Sequence, residues 1–151
     1  MQLKKILLFG KDGQVGRALC EALANKYQLV AVGKNELNLE NIKLINQIIE
    51  DVNPDYLINA AAYTKVDQAE DENLLAVSIN KVATEVMAKK TNSLGIPMIF
   101  YSTDYIFDGS NSSPYKEDDK PNPISFYGST KLQGENVVRE NNPKHIILRT
   151  S

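Results

Sequence analysis

A chain of 151 residues with 42% hydrophobic and 24% charged residues has the length for one domain with a sizeable core and the composition of an ordinary soluble globular protein. Its net charge of −2 offers no electrostatic footprint for nucleic acid, and no basic cluster offsets that balance. No apolar run reaches membrane-span length, no signal-peptide pattern precedes the first strand, and one cysteine with one histidine leaves no zinc site, so a cytoplasmic protein is expected.

Lys5-Ile6-Leu7-Leu8-Phe9 is an apolar run of strand length that ends at Gly10, and glycines recur at Gly13 and Gly16 before Arg17-Ala18-Leu19 opens a helical pattern. Strand, tight turn and helix in that order let a backbone without Cβ atoms approach a pyrophosphate and aim the unpaired N–H groups of a helix start at it. The spacing is G-x-x-G-x-x-G rather than G-x-G-x-x-G, so a glycine turn that binds nothing competes with phosphate binding; the flanking strand and helix favour the phosphate. Gln14 to Asn25 carries Val15, Leu19, Ala22 and Leu23 at helical spacing, with Cys20 expected among them as a buried core thiol. Gln28 to Val32 follows as a second buried strand. Gly33-Lys34 then stands where dinucleotide folds place an acid against the adenosine ribose, which argues for tolerance of NADPH, with Lys34 as a solvated loop charge the alternative.

Glu36 to Leu39 allows a very short strand, although it comes too soon after Val32 for a parallel crossover. Ile42, Leu44, Ile45, Ile48, Ile49 and Val52 make an amphipathic helix that stops before Pro54. Tyr56 to Ala60 is the third strand and runs into Ala61-Ala62-Tyr63-Thr64. Small residues there let a cofactor lie against the backbone, or let a helix pack close to the sheet. A long helix from about Asp71 to Leu94 shows Ile79, Val82, Ala83, Val86 and Met87 on one face, closes at Gly95 and is barred from continuing by Pro97. Asn80 lies off the main rows of that face, with a neighbouring strand or water as its partner.

Met98 to Tyr101 is the fourth strand, followed by Ser102-Thr103-Asp104-Tyr105-Ile106-Phe107-Asp108-Gly109. From Gly109 to about Asn122 a polar loop leaves the carboxyl edge of the sheet, where open α/β folds bind ligands. Pro123 to Lys131 enters a helix that continues through Leu132, Glu135 and Val138, which places Tyr127 and Lys131 four apart on one face. An ammonium held about 4–5 Å from the phenol would favour the phenolate, so the spacing predicts a Tyr127 pKa below the usual value of about 10, against an opposing desolvation. His145 to Arg149 is the last strand, and His145 is expected to be structural. The order of elements predicts an α/β fold of Rossmann type over 1–151, a doubly wound parallel sheet with helices on both faces.

The glycine turn, Asn59-Ala60-Ala61-Ala62-Tyr63-Thr64 with Val66-Asp67, Ser102 to Gly109, and Tyr127-Gly128-Ser129-Thr130-Lys131 occur in this order. Together they resemble the extended short-chain dehydrogenase/reductases, in particular those that reduce a keto group on a nucleotide sugar. The resemblance implies that Gly10, Gly13, Gln14, Val15 and Gly16 line the cofactor pyrophosphate, that Asn38 and Leu39 meet the adenine, and that Ala62, Tyr63 and Thr64 line the middle of the dinucleotide. Tyr101 is implied near the nicotinamide, with Thr103 and Asp104 on the sugar and Thr103 hydrogen-bonding the keto oxygen. Tyr127 is implied as the proton donor, with Lys131 holding the nicotinamide ribose. The implied reaction moves a hydride from NADPH or NADH to C4 of dTDP-4-dehydro-L-rhamnose.

Two departures accompany the resemblance. Gly33 stands where members often carry an acid, and members continue beyond Arg149-Thr150-Ser151 into a substrate-binding portion, without which the usual homodimer contacts are also missing. The expectation is therefore a cofactor-binding half with little or no activity alone. Two alternatives are a noncatalytic protein resembling the regulatory subunit of methionine adenosyltransferase and a nucleotide-sugar epimerase or dehydratase with bound NAD. Thr103, Tyr127 and Lys131 together argue against the first; Asp104-Tyr105 in place of the Asp-Glu of dehydratases argues against the second.

Overall fold

The computed structural model describes residues 3–151. Its five strands are β1 (Lys5–Phe9), β2 (Gln28–Val32), β3 (Tyr56–Asn59), β4 (Met98–Thr103) and β5 (His145–Thr150). All pair in parallel, in the order β2-β1-β3-β4-β5. Parallel strands at the centre of such a sheet are covered on both faces, which is why 6–9 of β1 and 56–58 of β3 read as unbroken apolar runs. Leu7, Leu8 and Leu57 are completely buried, each worth about 1.5–3 kcal/mol of transfer free energy.

Alternation along the strands sorts the helices onto the two faces. Leu7, Phe9, Leu57, Met98 and Phe100 pack against Ile45 and Ile49 of α2 (Ile42–Val52), Met87 and Ala88 of α4 (Thr84–Ser93) and Val138 of α5 (Phe126–Asn141). Ile6, Leu8 and Ile58 point the other way, onto Leu19, Cys20 and Leu23 of α1 (Gln14–Leu23). Cys20, expected in the core, is only partly buried at the edge of that packing, because α1 covers this face alone. Helix ends follow local chemistry: Asn41 caps α2 by accepting from the Leu44 amide, and Ser125 caps α5 by accepting from the Gly128 amide at 3.0 Å. Among the described residues no helix is long and apolar enough to cross a membrane.

Three segments depart from the sequence reading. Glu36 to Leu39 is not a strand: the amides of Glu36 and Leu37 donate back to the Gly33 carbonyl, and the resulting turn sinks Leu37 into the core. The long helix is divided into α3 (Asn73–Val77) and α4 by a π-helical turn over Ser78–Ala83. β4 runs two residues beyond Tyr101 and so carries Ser102 and Thr103 to its carboxyl end. The polar loop after β4 is ordered about Asp108, whose carboxylate accepts from the Ser110 amide and hydroxyl, the Tyr115 hydroxyl and the Asn122 amide group. Those bonds, the Ser110 hydroxyl first, hold its pKa well below the usual carboxylate range.

Candidate active site

In an open sheet of this order the crevice opens at the carboxyl ends of β1 and β3, where the chain departs to opposite faces. The glycine turn fills one side of it. Gly10 has φ +93°, and a Cβ there would lie 2.5 Å from the Ala61 nitrogen; a Cβ on Gly16 would lie 1.9 Å from the Gly10 carbonyl oxygen. The first and third glycines are therefore demanded by the chain packing on itself. Gly13 differs: its Cβ would meet only the Gly10 oxygen at 3.6 Å, so the surface above it is open. As the residue before α1 it also supplies no side-chain cap, which leaves the amides of Gln14, Val15 and Gly16 uncapped at the helix start.

The end of β2 differs from expectation. No acid stands in line at Gly33-Lys34, yet two carboxylates fold onto that place. Asp12 accepts from the Lys34 amide at 2.9 Å and occupies the space a Gly33 Cβ would take, 2.0 Å from its oxygen. Glu36 accepts from the Gly33 amide at 2.9 Å and pairs with Lys11. The Lys34 side chain stays exposed beside them. Asn38 is exposed and turned onto its own loop, accepting from the Glu40 amide, while Leu39 packs partly into the core.

Ala62 and Thr64 form an accessible wall after β3, whereas the Tyr63 ring turns inward with Ala69, Ala76 and Tyr127. The Tyr63 ring thus stays out of the crevice. Burial first, and then its hydrogen bond to Glu72, push the Tyr63 phenol up to about 12. What fixes this wall is Asn80, for which the sequence offers a neighbouring strand or water as partner. Its Oδ1 accepts from the Tyr63 amide at 2.8 Å; its Nδ2 donates to the Tyr63 carbonyl at 3.1 Å and to the Thr130 hydroxyl at 2.9 Å. Thr130 in turn donates to the Tyr127 carbonyl at 2.8 Å. One buried amide on the π turn therefore ties the wall to α5. Asn80→Ala is expected to strip two buried backbone groups of their partners and to cost roughly 2–4 kcal/mol, read as a lower urea midpoint with an unchanged slope.

Thr103, Tyr127 and Lys131 converge at the end of β4. The short 3-10 turn Asp104–Ile106 packs so closely on the start of α5 that a Cβ on Gly128 would lie 2.2 Å from the Tyr105 carbonyl oxygen. This contact sets Tyr127 edge-on to Tyr105, with ring centroids 5.7 Å apart. Thr103 is buried with its hydroxyl accepting from the Tyr105 amide at 3.2 Å, and Asp104 beside it is exposed. Lys131 is only 2% exposed; its ammonium donates to the Tyr101 carbonyl at 2.7 Å and sits 4.3 Å over the Phe100 ring. The Tyr101 ring itself lies in the cluster on the opposite face, so only its carbonyl takes part.

The expected lowering of the Tyr127 pKa is overturned. Burial raises it, Asp104 and Tyr105 add to the rise, and only the Thr103 hydroxyl opposes. The ammonium that was to lower it is directed at Tyr101 and Phe100 instead. Burial has acted on that ammonium too, bringing Lys131 down from 10.5 to about 7 against the pull of Glu135.

Residues 4–151 match the family described as RmlD substrate binding domain. The dTDP-4-dehydrorhamnose reductase of Salmonella typhimurium is 42% identical over 150 residues, covering 97% of this chain and 50% of that protein. The spore coat polysaccharide biosynthesis protein SpsK of Bacillus subtilis is 34% identical over 150 residues, covering 99% of this chain and 53% of its own length. Among solved structures, a dTDP-4-dehydrorhamnose reductase of Bacillus anthracis in complex with NADP superposes with a TM-score of 0.94 at 37% identity, over 100% of this chain and 54% of that one. The chain thus spans about half the length of the relatives it matches.

Proposed function

Because the chain belongs to the RmlD substrate binding domain family, we propose that it is the cofactor-binding and catalytic half of an NADPH- or NADH-dependent dTDP-4-dehydrorhamnose reductase. The observation that carries this reading is the gathering of Thr103, Tyr127 and Lys131 at the sheet edge that also holds the open glycine turn. The turn fits a pyrophosphate: Gly13 leaves room, and the uncapped amides of Gln14, Val15 and Gly16 supply donors. Ala62, Thr64 and the Tyr63 backbone would flank the middle of the dinucleotide, with Asn38 and Leu39 toward its adenine. Lys34 favours a 2′-phosphate while Asp12 and Glu36 oppose it, which is consistent with use of both nucleotides. A bound nicotinamide supplies the hydride. Tyr127, a phenol protonated at neutral pH, gives its proton to the keto oxygen, Thr103 donates a second hydrogen bond to that oxygen, and Lys131 holds the ribose.

The nucleotide sugar, dTDP-4-dehydro-L-rhamnose, would contact Thr103 and Asp104 here and otherwise the half present in the relatives. Ile146 and Leu148 of β5 are 53% and 41% exposed and form an apolar strip suited to packing of that half. The chain alone is therefore a dinucleotide binder with little turnover, and a reduction that draws on NADPH or NADH suits the cytoplasm. The test is a fluorescence titration with NADPH, which should saturate, followed by addition of the sugar nucleotide. In a chain completed with the second half of a relative, Tyr127→Phe is expected to keep NADPH affinity and to reduce turnover by about 100-fold or more. Turnover unchanged by that substitution would remove the assigned proton donor.

A further inference from the structure

Glu135 takes part in none of these roles, yet it is completely buried on α5, one turn beyond Lys131. Its carboxylate accepts from Arg149 Nε and Nη2 at 2.9 Å each and from Arg139 Nη1 at 3.0 Å, and it faces Ser102, whose buried hydroxyl makes no hydrogen bond among the described residues. A buried ion pair is seldom more stabilising than hydrocarbon of the same shape, so stability alone does not account for it.

The neighbour that requires a negative charge is Lys131. Its immediate partners on β4, the Tyr101 carbonyl and the Phe100 ring, carry no formal charge. On α5 it is flanked by Tyr127 and Glu135, β5 sets Arg149 on Glu135, and the π turn presents the neutral Asn80 amide to Thr130. Asp104 and Tyr105 act on Tyr127. Glu135, one turn further along the same side of α5 and as deeply buried, is the carboxylate that α5 sets beside Lys131, in the direction that favours the ammonium. Resting on the reductase reading, we propose that Glu135 is a positioning residue: its carboxylate, held in place by Arg149, raises the share of the Lys131 amine that is protonated inside the site, so that a charged group meets the bound dinucleotide.

The ε-methylene NMR resonance of Lys131, followed across pH in the 151-residue chain and assigned with Lys131→Arg, reports its protonation directly. Glu135→Gln is expected to lower the titration midpoint by about one pH unit or more, and to weaken NADPH binding about tenfold near pH 8 while sparing it near pH 6. Arg139→Gln, at a partly exposed side chain, removes a competing cation and is expected to raise the midpoint. An unmoved midpoint in folded Glu135→Gln overturns the proposal. Should that variant fail to fold, an unmoved or lowered midpoint in Arg139→Gln overturns it equally. If the parent chain binds no NADPH, the reductase reading falls, whereas the two midpoints still decide whether Glu135 governs Lys131.

Discussion

Gly16→Ala is expected to cost the chain roughly 3 kcal/mol or more of stability and its dinucleotide binding with it. The added Cβ would lie 1.9 Å from the Gly10 carbonyl oxygen and 2.7 Å from its carbon. Backbone on both sides leaves no flexible side chain to give way. Gly10 has no room to retreat, because it is itself wedged against Ala60 and Ala61 in a left-handed conformation that only glycine adopts at no steric cost. Either α1 moves off the sheet, exposing Leu19 and Leu23, or the turn opens and its amides disperse. Gly13→Ala provides the control. Its Cβ meets a single atom at ordinary contact distance, so stability should change by under about 1 kcal/mol while NADPH affinity falls about tenfold, the methyl standing where the anion is proposed to lie. Urea denaturation and NADPH titration of both variants separate the two roles. Equal stability loss in the two would show that the turn is not packed as described.

The parts of this architecture that could be read ahead share a physical trait: they are decided within one element. Leu7 and Leu8 announce a buried strand, Ile45 and Ile49 a helix face, and Tyr127 and Lys131 a common helix side, whatever surrounds them. The parts that could not be read are decided by partners far along the chain. Asn80 is explained only by Tyr63, 17 residues away, and Thr130, 50 residues away; its one local signal is a polar residue off the apolar rows of a long helix. Asp12 meets Lys34 from 22 residues off, so a search confined to the end of β2 misses its carboxylate. Glu135 sits four residues past Lys131, a visible spacing, but the Arg149 that keeps it charged in the core arrives from β5. The Tyr127 pKa is the instructive failure. Spacing showed that an ammonium was within reach, and nothing in the spacing showed that the Tyr101 carbonyl and Phe100 would claim it.

Lys131→Met is expected to stabilise the chain near neutral pH and destabilise it near pH 10, while weakening NADPH binding about tenfold or more. The lysine is depressed from 10.5 to about 7 in the fold, so between those values the unfolded chain binds more protons and stability rises with pH. At pH 7 the buried amine therefore costs the fold roughly 4 kcal/mol, a cost that vanishes above about pH 10.5, where the side chain is neutral in both states. Methionine fills a similar volume without charge. It forfeits the hydrogen bond to the Tyr101 carbonyl and the contact with the Phe100 ring, together about 2–3 kcal/mol at any pH. The difference leaves a net gain of about 1–2 kcal/mol near pH 7, or roughly 3–6 °C in melting temperature for a chain of this size, and a net loss of similar size near pH 10. The sign change is what distinguishes a buried, titrating lysine from one that merely packs. Melting curves of parent and variant at the two pH values, followed by circular dichroism, would show it as a crossing. Parallel curves with a constant offset would mean that Lys131 does not titrate in the window its burial sets, and the assigned electrostatics of the site would fall with it.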